Sequence, residues 1–217
     1  MTWRAWVLSL LLAFFSVLMV RITIPYVSLD TDVAFLRIKQ WIIGNEVWRV
    51  SFFVHVFTSL FLLVAGFTQF FHPLRAPWKT IHRRVGSGYV IVLLGFAGPA
   101  GFVMSLYANG GWLSQTAFTL LSVLWMYTTA RAYRTARQRR WSEHGQWMVR
   151  SFALTLSALT LRAWKFLLVL FFHPHPMDAY QLVAWLGWVP NLLLAEWLIR
   201  QGLTQRWLPR KEAAKIN

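Results

Sequence analysis

The chain predicts an all-α fold, a polytopic transmembrane helix bundle of about six spans with both termini cytoplasmic, and three observations carry that prediction. Of its 217 residues, 57% are hydrophobic and only 13% charged, well below the usual quarter for a soluble domain. That much apolar surface cannot be hidden in one soluble core of this size, so most of it must face lipid or other spans. The apolar residues also gather in runs long enough to cross a bilayer, and the Lys and Arg residues crowd into alternate loops between those runs. The last pattern decides the partner. A formal charge of +15 spread in this way is a topology signal that points to a lipid bilayer, whereas a nucleic-acid interface would gather it on one face. Many of the fourteen tryptophans stand at segment ends, where they suit interfacial anchoring.

The whole chain, 1–217, reads as one integral membrane domain, with spans near 6–24, 50–71, 83–107, 112–130, 145–172 and 178–199. Arg4 precedes the first span and Pro25 closes it. The run has features of a signal peptide, but its length and the lack of a small-residue cleavage site favour a retained helix. Between spans one and two, the stretch from Val33 to Trp41 predicts a short interfacial helix. His72-Pro73 ends span two. Span three carries Gly86, Gly88, Gly95, Gly98 and Gly101, which allow close helix packing, and Pro99, which predicts a kink. Asn109-Gly110-Gly111 makes a tight turn into span four, and His173-Pro174-His175-Pro176 separates spans five and six.

Arg75, Lys79, Arg83 and Arg84 fill the loop between spans two and three. Arg131, Arg134, Arg137, Arg139 and Arg140 fill that between spans four and five, and Arg200, Arg206, Arg210, Lys211 and Lys215 mark the tail. The other side holds Arg21, Arg37, Lys39 and Arg49, so the termini are expected inside.

Several function classes are excluded. With no cysteine, the chain offers no disulfide, thiolate nucleophile or iron–sulfur ligand. Of the seven acidic residues only Glu196 lies well inside a span, so paired carboxylates are absent. A histidine-zinc hydrolase therefore lacks a carboxylate partner within the membrane, and His173 with His175 do not by themselves define a metal site. Arg150 and Glu196, near one face on consecutive spans, predict an ion pair.

The candidate site residues are His82, His144, His55 and Arg162. His82 and His144 begin spans three and five on the same side, so the spans run parallel and the rings can meet at one depth. Gly86 lies one turn beyond His82, leaving room for a flat ligand, and Met148 one turn beyond His144. Imidazoles from two helices are the axial pair of a b-type haem; the same residues also suit headgroup contacts at the interface. His55 and Arg162 lie deeper, toward the outer side, where ionisable groups are functional candidates. They suit a haem propionate, a quinone carbonyl or another anion. His55 alternatively bonds Thr58, Ser59 or another helix.

The order of motifs resembles a known family. Phe35-Leu36-Arg37-Ile38-Lys39-Gln40, His55, Gly66-Phe67-Thr68-Gln69-Phe70 and His82-Arg83-Arg84-Val85-Gly86-Ser87-Gly88-Tyr89-Val90 come first. Ala108-Asn109-Gly110-Gly111, His144-Gly145-Gln146-Trp147-Met148-Val149-Arg150-Ser151, Leu161-Arg162 and the run from Ala184 to Leu192 follow. From Phe35 to Arg200 they resemble the bacterial membrane proteins grouped as domain of unknown function 2306, with Phe67-Thr68 where the family's Pro-Phe is expected. The resemblance implies a multi-pass protein of the bacterial inner membrane and supplies no activity. A second similarity, of architecture, is to haem bundles of the cytochrome b561 and ferric-reductase type, whose two axial pairs come from four consecutive spans. Span four here has no histidine, so that similarity implies one haem b at most, between His82 and His144, exchanging electrons with a quinone or another membrane redox partner. The alternative is a non-enzymatic small-molecule binder, transporter component or assembly partner.

Overall fold

In a computed structural model, which describes residues 3–69 and 78–205, every regular element is helical. α1 (Trp3–Thr23) stops where Pro25 enters a 3-10 turn, and the Thr23 hydroxyl returns to the Met19 carbonyl at 2.8 Å. Met19 packs with Leu63 of α2 (Glu46–Gln69) and Leu159 of α7 (Ser157–Phe172), which holds α1 against the bundle. The 24 residues of α2 rise about 36 Å, enough to cross a hydrocarbon core. The expected interfacial helix between α1 and α2 is a 3-10 helix over Ala34–Lys39.

α3 (Trp78–Val92) continues through a π turn, Leu93–Ala97, into α4 (Gly98–Ser105). The expected effect of Pro99 is thus a widened turn just ahead of it. Proline has no N–H and its ring crowds the carbonyl four residues back, here Gly95 inside that turn. Gly110 and Gly111 then take φ of 84° and 68°, left-handed values that suit glycine. A Cβ on Gly110 would meet Ser114 Oγ at 2.5 Å.

α5 (Gly111–Arg137) is central, packed on α4, α6 (Trp141–Thr155) and α8 (Pro176–Leu186). Its buried face is Ser114, Ala117, Ser122, Trp125, Thr128, Thr129, Ala132 and Thr135. Small and hydroxyl residues fit there because this face packs against three other helices, and the hydroxyls of Thr128, Thr129 and Thr135 bond carbonyls one turn back.

The continuous span expected over 145–172 is instead two helices, α6 and α7, bent by 41° at Leu156. The cause lies in hydroxyl side chains around the break. Thr155 Oγ1 donates to the Ser151 carbonyl (3.0 Å), and Thr160 Oγ1 lies within hydrogen-bond distance of the carbonyls of Leu156 (3.1 Å) and, on α8's far end, Gly187. Such bonds compete with the helical ladder and bend it. His173, at φ 46°, ends α7; Pro176 begins α8, which passes through Gly187 and Trp188 into α9 (Val189–Arg200).

Among the described residues, three helices are long and apolar enough to cross a membrane: Glu46–Gln69, Lys79–Ser105 and Pro176–Arg200. The bent pair α6 and α7 makes a fourth if counted as one span. The His72-Pro73 stop, Arg75 and the tail residues Arg206, Arg210, Lys211 and Lys215 lie outside the described residues.

Candidate functional site

α3 and α6 run in matching register and meet through their side chains. The His82 and His144 rings face each other with centroids 6.5 Å apart and planes at 89°. Seven residues further along each helix, Tyr89 Oη and Ser151 Oγ are 3.1 Å apart. Two equal steps of two turns, about 10 Å each, mean that the helices run parallel, so the sequence argument that brings these histidines to one depth holds in the structure.

His144 Nδ1 lies 2.9 Å from the Ala132 carbonyl of α5. A carbonyl only accepts, so Nδ1 carries the proton and Nε2 keeps its lone pair. His82 Nδ1 is buried and turned toward the main chain of Gln69, short of a formed hydrogen bond. The Trp141 ring stands edge-on to His144 at 6.4 Å. The room expected beside Gly86 is taken: a Cβ there would lie 2.8 Å from Oε1 of Gln69, whose side chain is buried. Met148, one turn from His144, belongs to the core.

Below the histidine layer is a closed hydroxyl cluster that the sequence argument passed over. Tyr89 Oη also bonds Thr155 Oγ1 (2.7 Å), Thr129 bonds Ser151 (2.6 Å), and Trp125 Nε1 donates to Thr155 Oγ1 (2.9 Å). All five side chains are buried and come from α3, α5 and α6. The available signal was the helical spacing of Trp125 with Thr129 and of Ser151 with Thr155, each pair four apart.

His55 forms a third layer. Its Nδ1–H donates to the Ala97 carbonyl at the end of the π turn (2.9 Å), its ring is edge-on to Trp125 at 6.3 Å, and it fills the space beside Gly101. The partner is thus on another helix, while Thr58 Oγ1 bonds Val54 and His55 carbonyls. Arg162 is exposed on α7, donates to its own Ala158 carbonyl, and lies within electrostatic reach of His55 and Tyr26. The two residues share a neighbourhood without a hydrogen bond between them among the contacts described. Among the described residues no group of three or more His, Asp or Glu side chains is placed to hold a metal ion.

The expected ion pair is present. Arg150 reaches both Glu196 oxygens, at 2.5 and 2.8 Å, and lies over the Trp147 ring at 4.6 Å. On the opposite side, Lys39 is 1% exposed, with Nζ donating to the Tyr107 carbonyl and standing 5.2 to 5.9 Å from the ring centroids of Trp41, Phe35 and Trp48. Burial pushes this ammonium down from its ordinary 10.5 to about 8.

A family model described as predicted membrane protein, domain of unknown function 2306, matches residues 52–199, a stretch that includes His55, His82, His144 and Arg162. The Phe35–Gln40 motif lies outside the matched stretch. No curated protein and no solved structure matches the chain.

Proposed function

We propose, from the premise that the chain belongs to the predicted membrane protein family of domain of unknown function 2306, that it holds one b-type haem between His82 and His144 and exchanges electrons with a membrane quinone. The observation that carries this is the 6.5 Å centroid separation. Two imidazoles on opposite faces of one metal ion, at bond lengths of about 2 Å, have centroids roughly 6 Å apart; at a tetrahedral angle they would be roughly 5 Å apart. His82 and His144 would be the residues that hold the haem iron, and their separation is wider than a zinc site would need. The Nδ1–H of His144 on the Ala132 carbonyl is the kind of outer bond that orients an axial imidazole.

Haem would supply one-electron chemistry. The chain's own part is to fix two imidazoles on parallel helices, exclude water with the Tyr89 cluster beneath them, and offer His55 and Arg162 as an outer polar position for a quinone carbonyl or a propionate. One observation favours the second reading, a non-enzymatic small-molecule binder, transporter component or assembly partner: the Gln69 side chain fills the space beside Gly86, where a flat ligand would lie. An absorbance spectrum of the protein purified after expression with haem supplied separates the two. The haem reading expects a Soret band that disappears in His82→Ala and in His144→Ala while elution behaviour is kept. A wild-type protein without the band, or a band that both variants retain, overturns it.

The six spans are taken as α1, α2, α3 with α4, α5, α6 with α7, and α8 with α9, with both termini on the inner side of a bacterial cytoplasmic membrane. The Lys and Arg distribution supports this arrangement. Because the chain has no cysteine, single cysteines report topology cleanly. Gln138→Cys should react with impermeant thiol reagents only after the membrane is opened, and Asn109→Cys in intact cells; the reverse pattern inverts the topology.

A further inference from the structure

Where α5 ends and α6 begins, a cavity of about 190 Å³ is lined by Arg131, Arg134, Thr135, Gln138 and Arg140, with no carboxylate among the described residues of its wall. We infer that this cavity binds the phosphate of an anionic phospholipid headgroup. The site is independent of the haem reading.

Two of its arginines are held in place before any ligand arrives. Arg131 lies over the Trp147 ring at 4.9 Å and reaches the Tyr127 hydroxyl at 3.4 Å. Arg140 is tied to Gln138 Oε1 at 3.1 Å and to Glu143 Oε1 through Nε at 2.6 Å. Glu143 offsets part of the Arg140 charge, but it pairs from outside the cavity wall. Among the described residues the Arg134 side chain has no hydrogen bond or ion pair, and it supplies the uncommitted guanidinium. Planar guanidinium donors match phosphate oxygens, two bonds at a time.

The C-terminal end of a helix would ordinarily repel an anion. Here the last carbonyls of α5 are already used: Arg134, Thr135 and Ala136 accept from the N–H groups of Gln138, Arg140 and Arg139 at 2.9 to 3.0 Å. On the six-span arrangement proposed above, which this inference rests on, the cavity also sits at headgroup depth. Tyr127, which Arg131 reaches, and Trp141, which follows Arg140 in the chain, carry exposed rings, as aromatic residues do at a membrane interface. A basic pocket between helix ends at that depth meets lipid phosphates at far higher local concentration than free ones.

The test uses the full chain, delipidated in detergent and titrated by native mass spectrometry with phosphatidylglycerol, phosphatidylcholine or inorganic phosphate. Phosphatidylglycerol should bind at least tenfold more tightly than phosphatidylcholine. Arg134→Gln should weaken it about fivefold, the value of one basic residue at a membrane surface, and Arg131→Gln should do the same. Arg49→Gln, at the start of α2, serves as the control and should change nothing. Competition by inorganic phosphate at millimolar concentration would assign the same phosphate site to a free anion; no competition assigns it to lipid. Equal affinity for the two lipids, or equal losses in Arg49→Gln and Arg134→Gln, overturns the proposal. His82→Ala should leave lipid binding intact, which separates this result from any loss of haem.

Discussion

Lys39 makes pH a direct probe of the end of the bundle opposite the Arg150–Glu196 pair. Its ammonium is buried among Phe35, Trp41 and Trp48 with one carbonyl partner, and burial lowers it from 10.5 to about 8. The folded value lies below the unfolded one, so between about pH 8 and 10.5 the unfolded chain binds more protons, and stability rises with pH across that window. The drop of about 2.5 units, at 1.36 kcal/mol per unit, amounts to about 3 kcal/mol once both limits are passed. Lys39→Met keeps the length of the side chain and removes the charge, so it should be more stable than wild type at pH 7 and match it near pH 11. Thermal unfolding in detergent, followed by tryptophan fluorescence at pH 7, 8, 9, 10 and 11, reads the difference between the two proteins. Subtraction cancels tyrosine titration common to both. A difference that stays flat over this range, or a Lys39→Met protein less stable than wild type at pH 7, would refute the argument that desolvation outweighs the rings and the carbonyl.

Gly66→Ala should cost about 1–3 kcal/mol, because the new Cβ falls against the Phe152 ring; residual fluorescence after a heat challenge measures it. Arg150→Ala leaves Glu196 without its two bonds, and with side chains 17% and 36% exposed the loss is about 2 kcal/mol, between a surface pair and a buried one. An Arg150→Met, Glu196→Leu double variant should recover most of it in the same assay. Tyr89→Phe should cost only about 1 kcal/mol, since Ser151 and Thr155 keep Thr129 and Trp125 as partners; a loss beyond about 3 kcal/mol would mean that the hydroxyl cluster acts as one unit.

Much of the architecture is legible in the sequence because lipid imposes a simple demand: apolar runs of a certain length, ended by charges, Pro or Gly. The His82–His144 juxtaposition and the Arg150–Glu196 pair follow from topology and helical rise alone. What stayed hidden depends on side chains meeting across helices. The break at Leu156 arises from hydroxyl groups whose partners lie on other elements, and a window over 145–172 sees only an unbroken apolar stretch. Lys39 reads as a loop cation, since nothing local says that Trp41, Trp48 and the Tyr107 carbonyl will close over it. Gly86 reads as open space, and only the packing of α2 on α3 shows that Gln69 occupies it.

The π turn at Leu93–Ala97 works as a clutch between two halves of one span. It holds one residue more than an α turn would, which rotates everything beyond it by about 100° relative to an unbroken helix. The half before the turn keeps His82 and Tyr89 aimed at α6; the half after it aims the Ala97 carbonyl and Gly101 at His55 on α2. Deleting one residue from the turn would let it close as an ordinary α turn with both sets of contacts in register, whereas deleting one from α4 ahead of Gly101 would swing Gly101 away from His55. The extra residue held in the turn is thus what lets one helix face α6 with His82 and Tyr89 and α2 with Gly101.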